Sequence, residues 1–123
     1  MSTAPSSAAA VAALSQGASN EAVIGWVSAT LRAQLAPGAT LLDVGCGQAA
    51  LAAALDGHFG RYIGLDVVAY PGTPVTANRE FHLADLNHTP FPLPDAIADA
   101  AVAVETIEHL ENPRALMREL TRL

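Results

Sequence analysis

The sequence predicts an α/β fold built on a doubly wound, mostly parallel sheet, and three observations carry that expectation. The run Leu41-Leu42-Asp43-Val44-Gly45-Cys46-Gly47 is a short apolar strand that ends in a carboxylate and two glycines, and residues 48–55 behind it are rich in Ala and Leu and read as a helix. About twenty residues later a second strand, Arg61-Tyr62-Ile63-Gly64-Leu65-Asp66, ends in another carboxylate. Residues 100–104 are small and branched apolar residues throughout, as expected for a parallel strand buried on both faces.

The elements follow in order. Residues 1–18 are rich in Ala and Ser and lack the basic start of a signal peptide. They are expected to form a flexible tail or short helix ahead of a domain covering residues 19–123. Asn20 can cap a helix, with Glu21 favourable in its first turn. Ile24, Val27, Leu31 and Leu35 recur at helical spacing, which predicts a face packed on the sheet, and Trp26 beside that stripe is expected at its core or edge. Ala36-Pro37-Gly38 stops the helix before the first strand.

After Asp66 a doubly wound fold calls for a crossover helix. Residues 67–80 instead contain Pro71, Gly72 and Pro74 and show little helical periodicity, so a short turn of helix or a loop over the ligand site is expected. Glu80-Phe81-His82-Leu83-Ala84-Asp85-Leu86 reads as a third strand with Phe81 and Leu83 on one face. Pro90, Pro92 and Pro94 stiffen the loop that follows and exclude helix there. Asn112-Pro113 is a helix start, after which Leu116, Met117 and Leu120 are expected to face the sheet, with Leu123 next in that stripe.

Composition narrows the class. A chain of 123 residues, 51% of them apolar, allows one small domain with a core. A formal net charge of −6 disfavours an electrostatic grip on nucleic acid. Arg114, Arg118 and Arg122 share a helical face, which reads as a solvated face and not as a phosphate-binding stripe. Cys46 is the sole cysteine, which excludes an internal disulfide and favours a cytoplasmic address. No stretch is long and apolar enough to span a bilayer.

A strand, a Gly turn and a helix N-terminus make a site for a nucleotide-like ligand. Gly45 and Gly47 allow a tight turn and close approach of the backbone. Gly45-Cys46-Gly47-Gln48-Ala49-Ala50 satisfies the G-x-G-x-x-G/A pattern, so a dinucleotide is one candidate. Asp43 argues against it, because a carboxylate at the turn repels a pyrophosphate. It suits a ligand with a positive amine, such as S-adenosylmethionine, which carries an ammonium and a sulfonium and no phosphate.

Asp43-Val44-Gly45-Cys46-Gly47 resembles motif I, D-x-G-x-G, of the class I S-adenosylmethionine-dependent methyltransferases. The acid at the second strand end, the acid after the third, the Pro90-Phe91-Pro92-Leu93-Pro94 loop's place in the order, and a Glu-His run after the fourth strand strengthen the likeness as a set. The resemblance covers residues from about 20 onward and implies a Rossmann-like fold with S-adenosylmethionine as cofactor. It implies that Asp43 lies near the methionine amine, with Gly45, Cys46 and Gly47 in the turn around it. Asp66 would take both ribose hydroxyls and Val67 would pack on adenine. Asp85 would meet the adenine amino group, Leu86 would cover the ring, and Glu105 would stand at the carboxyl end of the fourth strand on the cofactor side.

The run Glu105-Thr106-Ile107-Glu108-His109-Leu110 resembles the E-x-x-E-H of small-RNA 2′-O-methyltransferases and of some quinone-pathway O-methyltransferases. On a helix Glu105, Glu108 and His109 share one side and can hold a divalent metal. The same run occurs in relatives without metal, so no metal site is assigned and His109 is the general-base candidate, with loop orientation as the alternative. His58, His82 and His88 have no partner at metal spacing; His88 lies in the loop over the cofactor site.

The function expected is in-line transfer of the sulfonium methyl to an O, N or C nucleophile of a small-molecule acceptor that the sequence does not identify. Three alternatives stay open: an NAD(P)-dependent oxidoreductase, a metal-dependent RNA 2′-O-methyltransferase, and a non-catalytic cofactor-binding or partner-binding half-domain. Class I methyltransferases continue through further strands, usually opened by a Pro-Gly-Gly turn that this sequence lacks. The sheet is therefore expected to be truncated after its fourth strand and the following helix, leaving an apolar edge prone to self-association.

Overall fold

A computed structural model describes residues 20–70, 75–104 and 106–123. The tail expected over residues 1–18 lies outside these. Helix α1, Glu21–Gln34, begins where Asn20 leaves its extended conformation and its side-chain oxygen accepts the N–H of Ala22 at 2.8 Å. Ile24, Val27, Leu31 and Leu35 pack inward as their spacing predicts. Trp26 does not: it is 71% exposed and belongs neither to the core nor to the edge of the stripe.

The sheet consists of β1 (Thr40–Val44), β2 (Arg61–Asp66), β3 (Arg79–Leu83) and β4 (Ala100–Val102), all parallel, in the order β3-β2-β1-β4. In register, Leu41 lies opposite Tyr62 and Asp43 opposite Gly64. The alternation along each strand splits the core in two. Leu42, Val44, Ile63 and Leu65 face helix α3, Pro113–Arg122, whose Leu116 is fully buried among them. Leu41, Cys46 and Tyr62 belong to the opposite core, with α1 and the short helix α2, Ala50–Ala54. Each face of the sheet thus has its own apolar cover, as a parallel sheet requires.

Five further sequence expectations are corrected. Helix α2 starts two residues later than the run from residue 48 suggests, because Gly47 and Ala49 both hold positive φ, at 54° and 61°. Strand β3 ends at Leu83 and not at residue 86, because the Asp85 carboxylate accepts the N–H of Asn87 at 3.0 Å and turns the chain out of the sheet. Strand β4 is not buried on both faces: it is an edge strand, so its three residues are only half-buried although Ala101 packs on one core and Ala100 and Val102 on the other. Met117 is exposed, one position off the stripe formed by Leu116, Leu120 and Leu123. Arg122 is no part of a solvated basic face. It donates to the carbonyls of Phe91 at 3.2 Å and Leu93 at 2.8 Å and to the Asp95 carboxylate at 2.9 Å.

Between β2 and β3 no helix occurs among the described residues; residues 71–74 lie outside them. The proline-rich loop after β3 contains no helix, as predicted, and is tied to α3. Buried Glu119 accepts the N–H of Phe91 at 3.0 Å and also holds Arg122. Helix α3 itself starts at Asn112, whose side-chain oxygen accepts the N–H of Ala115 at 3.2 Å, with Pro113 in the first turn. Among the described residues no helix is long and apolar enough to cross a membrane.

Candidate functional site

Parallel strands deliver their carboxyl ends to one edge of the sheet, the edge where open α/β sheets bind ligands. Here that edge carries Asp43, Asp66 and the turn after β1. The turn is stitched to β2 by two backbone hydrogen bonds, from the N–H groups of Gly45 and Cys46 to the Leu65 carbonyl at 2.7 and 3.0 Å. Asp66 completes the stitching. Its Oδ2 accepts the N–H of Gly47 and its Oδ1 the N–H of Val67, both at 2.7 Å.

Gly45 holds φ 75°, and a Cβ there would lie 2.2 Å from Thr106 Oγ1. The glycine is therefore required by a protein contact as well as by the turn. Thr106 is buried, and its hydroxyl sits within hydrogen-bond distance of the carbonyls of Val44 at 3.2 Å and Val104 at 3.1 Å. It fastens the segment after β4 to the end of β1.

Asp43 is buried, and its Oδ2 accepts the hydroxyl of buried Tyr62 at 2.7 Å. Burial pushes its pKa up from 3.8 to about 6; the Tyr62 hydrogen bond opposes that, and the neighbouring Asp66 charge adds to it. Burial also raises Asp66, against the pull of its backbone N–H donors. Burial and both carboxylates push the Cys46 thiol far up, which keeps it neutral and unreactive. The turn is thus a pocket of negative potential in which the apo protein favours a protonated Asp43 in mildly acidic solution.

The methyltransferase domain family matches residues 42–123, two thirds of the chain. The chain belongs to this family. Its fold agrees: it is the α/β, Rossmann-like methyltransferase fold. It is similar to the YcgJ protein of Bacillus subtilis, with TM-score 0.69 and 21% identity over 84% of this chain and 46% of that one. It is similar to an S-adenosylmethionine-dependent methyltransferase of Thiobacillus denitrificans in complex with S-adenosyl-L-homocysteine, with TM-score 0.60 and 18% identity over 84% and 44%. It is also similar to a chain of the Haloferax volcanii complex between the Trm112 methyltransferase activator and a putative methyltransferase, with TM-score 0.62 and 19% identity over 85% and 56%. The chain spans about half the length of these structures. No curated protein matches it.

In this methyltransferase domain six of the expected residues gather at the one turn: Asp43, Gly45, Cys46, Gly47, Asp66 and Val67. Asp85 follows β3, where its carboxylate caps the turn and meets His88 Nδ1 at 2.9 Å. The Leu86 side chain is buried in the core with Leu42, Val44 and Leu116. Glu105 lies outside the described residues. His109 is exposed in a single 3-10 turn, Ile107–His109, with Nε2 3.7 Å from Glu108 Oε1. Among the described residues, which do not include Glu105, no three ligating side chains cluster. His58 Nδ1 lies 3.2 Å from the Asp56 backbone carbonyl, and His82 Nε2 lies 2.8 Å from a Glu80 carboxylate oxygen.

Tyr62 and Thr106 were missed by sequence reasoning. Gly64 in mid-strand was the available signal for Tyr62, since a strand glycine often marks a close approach. A Cβ there would meet Cys46 Sγ at 2.9 Å and the Tyr62 ring at 3.3 Å.

Proposed function

We propose that this domain holds S-adenosylmethionine at the carboxyl ends of β1 to β3 and serves a methyltransferase that methylates an O, N or C nucleophile of a small-molecule acceptor. The observation that carries the proposal is Asp43: a buried carboxylate behind a glycine turn, with one oxygen bonded to Tyr62 and, among the described residues, no donor on the other. A buried carboxylate in that state calls for a cation. The ammonium of the methionine moiety is such a cation, whereas a pyrophosphate would be repelled by Asp43 and Asp66 together. This disfavours the NAD(P) alternative.

The other roles follow from chemistry. Asp66 accepts the backbone N–H groups of Gly47, Val67 and Val68, and the lone pair that remains on its carboxylate is the proposed acceptor for the ribose hydroxyls. Val67 would lie against the adenine, Asp85 would receive its amino group, and the Leu86 backbone would border it. Gly45, Cys46, Gly47 and Glu105 would surround the methionine end. Bound S-adenosylmethionine would supply a methyl already activated for in-line displacement, leaving the protein to position the acceptor and take a proton. His109, exposed and paired only loosely with Glu108, is the proposed base. The net charge of −6 weighs against an RNA acceptor.

A second reading has its own support. Because the chain spans about half the length of similar structures, it can bind cofactor without completing an acceptor pocket. Calorimetric titration with S-adenosylhomocysteine and, in parallel, NAD separates the classes. Binding of S-adenosylhomocysteine alone is expected; binding of NAD alone would sink the methyltransferase proposal. Replacement of His109 with no change in the rate of a catalytically competent form would remove it as base.

A further inference from the structure

We infer that Tyr62 is a positioning residue for the cofactor's amino group, acting through Asp43; this rests on the reading of Asp43 proposed above. The geometry is built by the register of two strands. Tyr62 lies opposite Leu41, and Asp43 opposite Gly64, so Tyr62 and Asp43 are diagonal neighbours on one face of the sheet. The missing side chain at Gly64 opens the route between them, and the Tyr62 ring and Cys46 sulfur both lie where its Cβ would crowd them. Through that gap the hydroxyl reaches Asp43 Oδ2 at 2.7 Å. On the far side the Tyr62 ring is seated against Phe59, with centroids 5.7 Å apart, so its direction is set by packing and not by the carboxylate.

Two consequences follow. The hydrogen bond occupies one carboxylate oxygen and fixes the plane of the carboxylate, turning the other oxygen toward a ligand ammonium. It also favours the ionised carboxylate that an ammonium needs. The charged or titratable groups facing Asp43 among the described residues are Tyr62 and Asp66 from β2 and Cys46 from the turn. Burial holds the tyrosine and the thiol neutral, and Asp66 opposes ionisation. Tyr62 alone among them supports it.

The test is Tyr62→Phe in the 123-residue chain, titrated with S-adenosylhomocysteine and with 5′-methylthioadenosine, which lacks the amino-acid moiety, from pH 5 to 8. The variant should bind S-adenosylhomocysteine about tenfold more weakly near pH 6, as for loss of a hydrogen bond to a charged group. The pH at which binding strengthens should move upward, and the affinity for 5′-methylthioadenosine should not change. Equal weakening toward both compounds, or a pH profile like that of the wild type, would overturn the inference in favour of a packing role. A wild-type chain that binds neither compound overturns the cofactor reading and the role of Tyr62 with it. Should Tyr62→Phe fail to fold, 3-fluorotyrosine at Tyr62 and Tyr70 keeps the shape and strengthens the donor. The pH midpoint should then fall, and an unmoved midpoint overturns the inference.

Discussion

At the scale of single residues, the site is governed by two buried acids whose ionisation is held back by the fold. Asp43 is raised from 3.8 to about 6, so the native state binds its proton more tightly than the unfolded chain does. The sign follows directly. Between about pH 4 and 6 the native form holds more protons, so stability falls as pH rises through that window, by about 3 kcal/mol in all from this residue. Above pH 6 the cost is fully present. Urea unfolding of the apo chain at pH 4.5 and 7 should show a smaller decline for Asp43→Asn than for wild type; parallel declines would mean that Asp43 is not the group responsible. A ligand ammonium reverses the preference, so S-adenosylhomocysteine should bind more tightly as pH rises through 6. Asp66 makes a different prediction. Asp66→Ala removes the acceptor for Gly47 and for the proposed ribose hydroxyls, and cofactor binding should weaken by about 1.5–3 kcal/mol, the range for hydrogen bonds to a charged group. An unchanged dissociation constant would count against the ribose role.

At the scale of elements, the turn and the proline loop are each held by contacts that come from far along the chain. Gly45→Ala would place a Cβ 2.2 Å from Thr106 Oγ1 at a φ of 75°, so two penalties add. A loss of more than about 2 kcal/mol of stability is expected, and part of it should be recovered in a Thr106→Ala background, measured against Thr106→Ala alone, because the Oγ1 and Cγ2 atoms nearest that Cβ are then gone. No recovery would show that the backbone conformation alone decides the cost. Such contacts also explain what the sequence could and could not tell. The strands and both capping asparagines, Asn20 and Asn112, were legible because they depend on neighbours within a few residues. The D-x-G-x-G turn and Asp66 were legible as a pattern of acids and glycines at two strand ends, although the contacts that hold the turn come from β2 and Thr106. The late start of α2 was not, since nothing local marks Ala49 for a left-handed conformation. Arg122 spaced itself with Arg114 and Arg118 on paper, yet its partners Phe91 and Leu93 are reached only through the tertiary fold. Tyr62 was invisible as a site residue because its reach to Asp43 depends on the register of β1 against β2.

At the scale of the whole molecule, the sheet has a well-defended edge and an open one. At the β3 edge, Glu80 meets Arg61 of the neighbouring β2, with Arg61 Nε 2.6 Å from one carboxylate oxygen, and His82 Nε2 lies 2.8 Å from the other. Charge on an edge discourages pairing with another chain. On the other side β4 is Ala100, Ala101 and Val102, with no charge, no proline and no strand beyond it among the described residues. Its backbone groups are therefore available to a second strand, and its half-buried apolar side chains would gain cover from one. The chain spans about half the length of the structures it resembles, so such a strand would have to come from outside these residues. A second copy of the chain is one such source. Sedimentation velocity across a range of concentrations is expected to show a monomer giving way to dimers or larger species. The association should persist at high salt, since it would rest on backbone pairing and apolar burial and not on ion pairs. Ala101→Lys puts a charge on the open edge and should shift the balance toward monomer. A monodisperse wild-type monomer at every concentration would mean that three residues of bare edge are too short to recruit a partner, and that the half-buried state of β4 is stable as it stands.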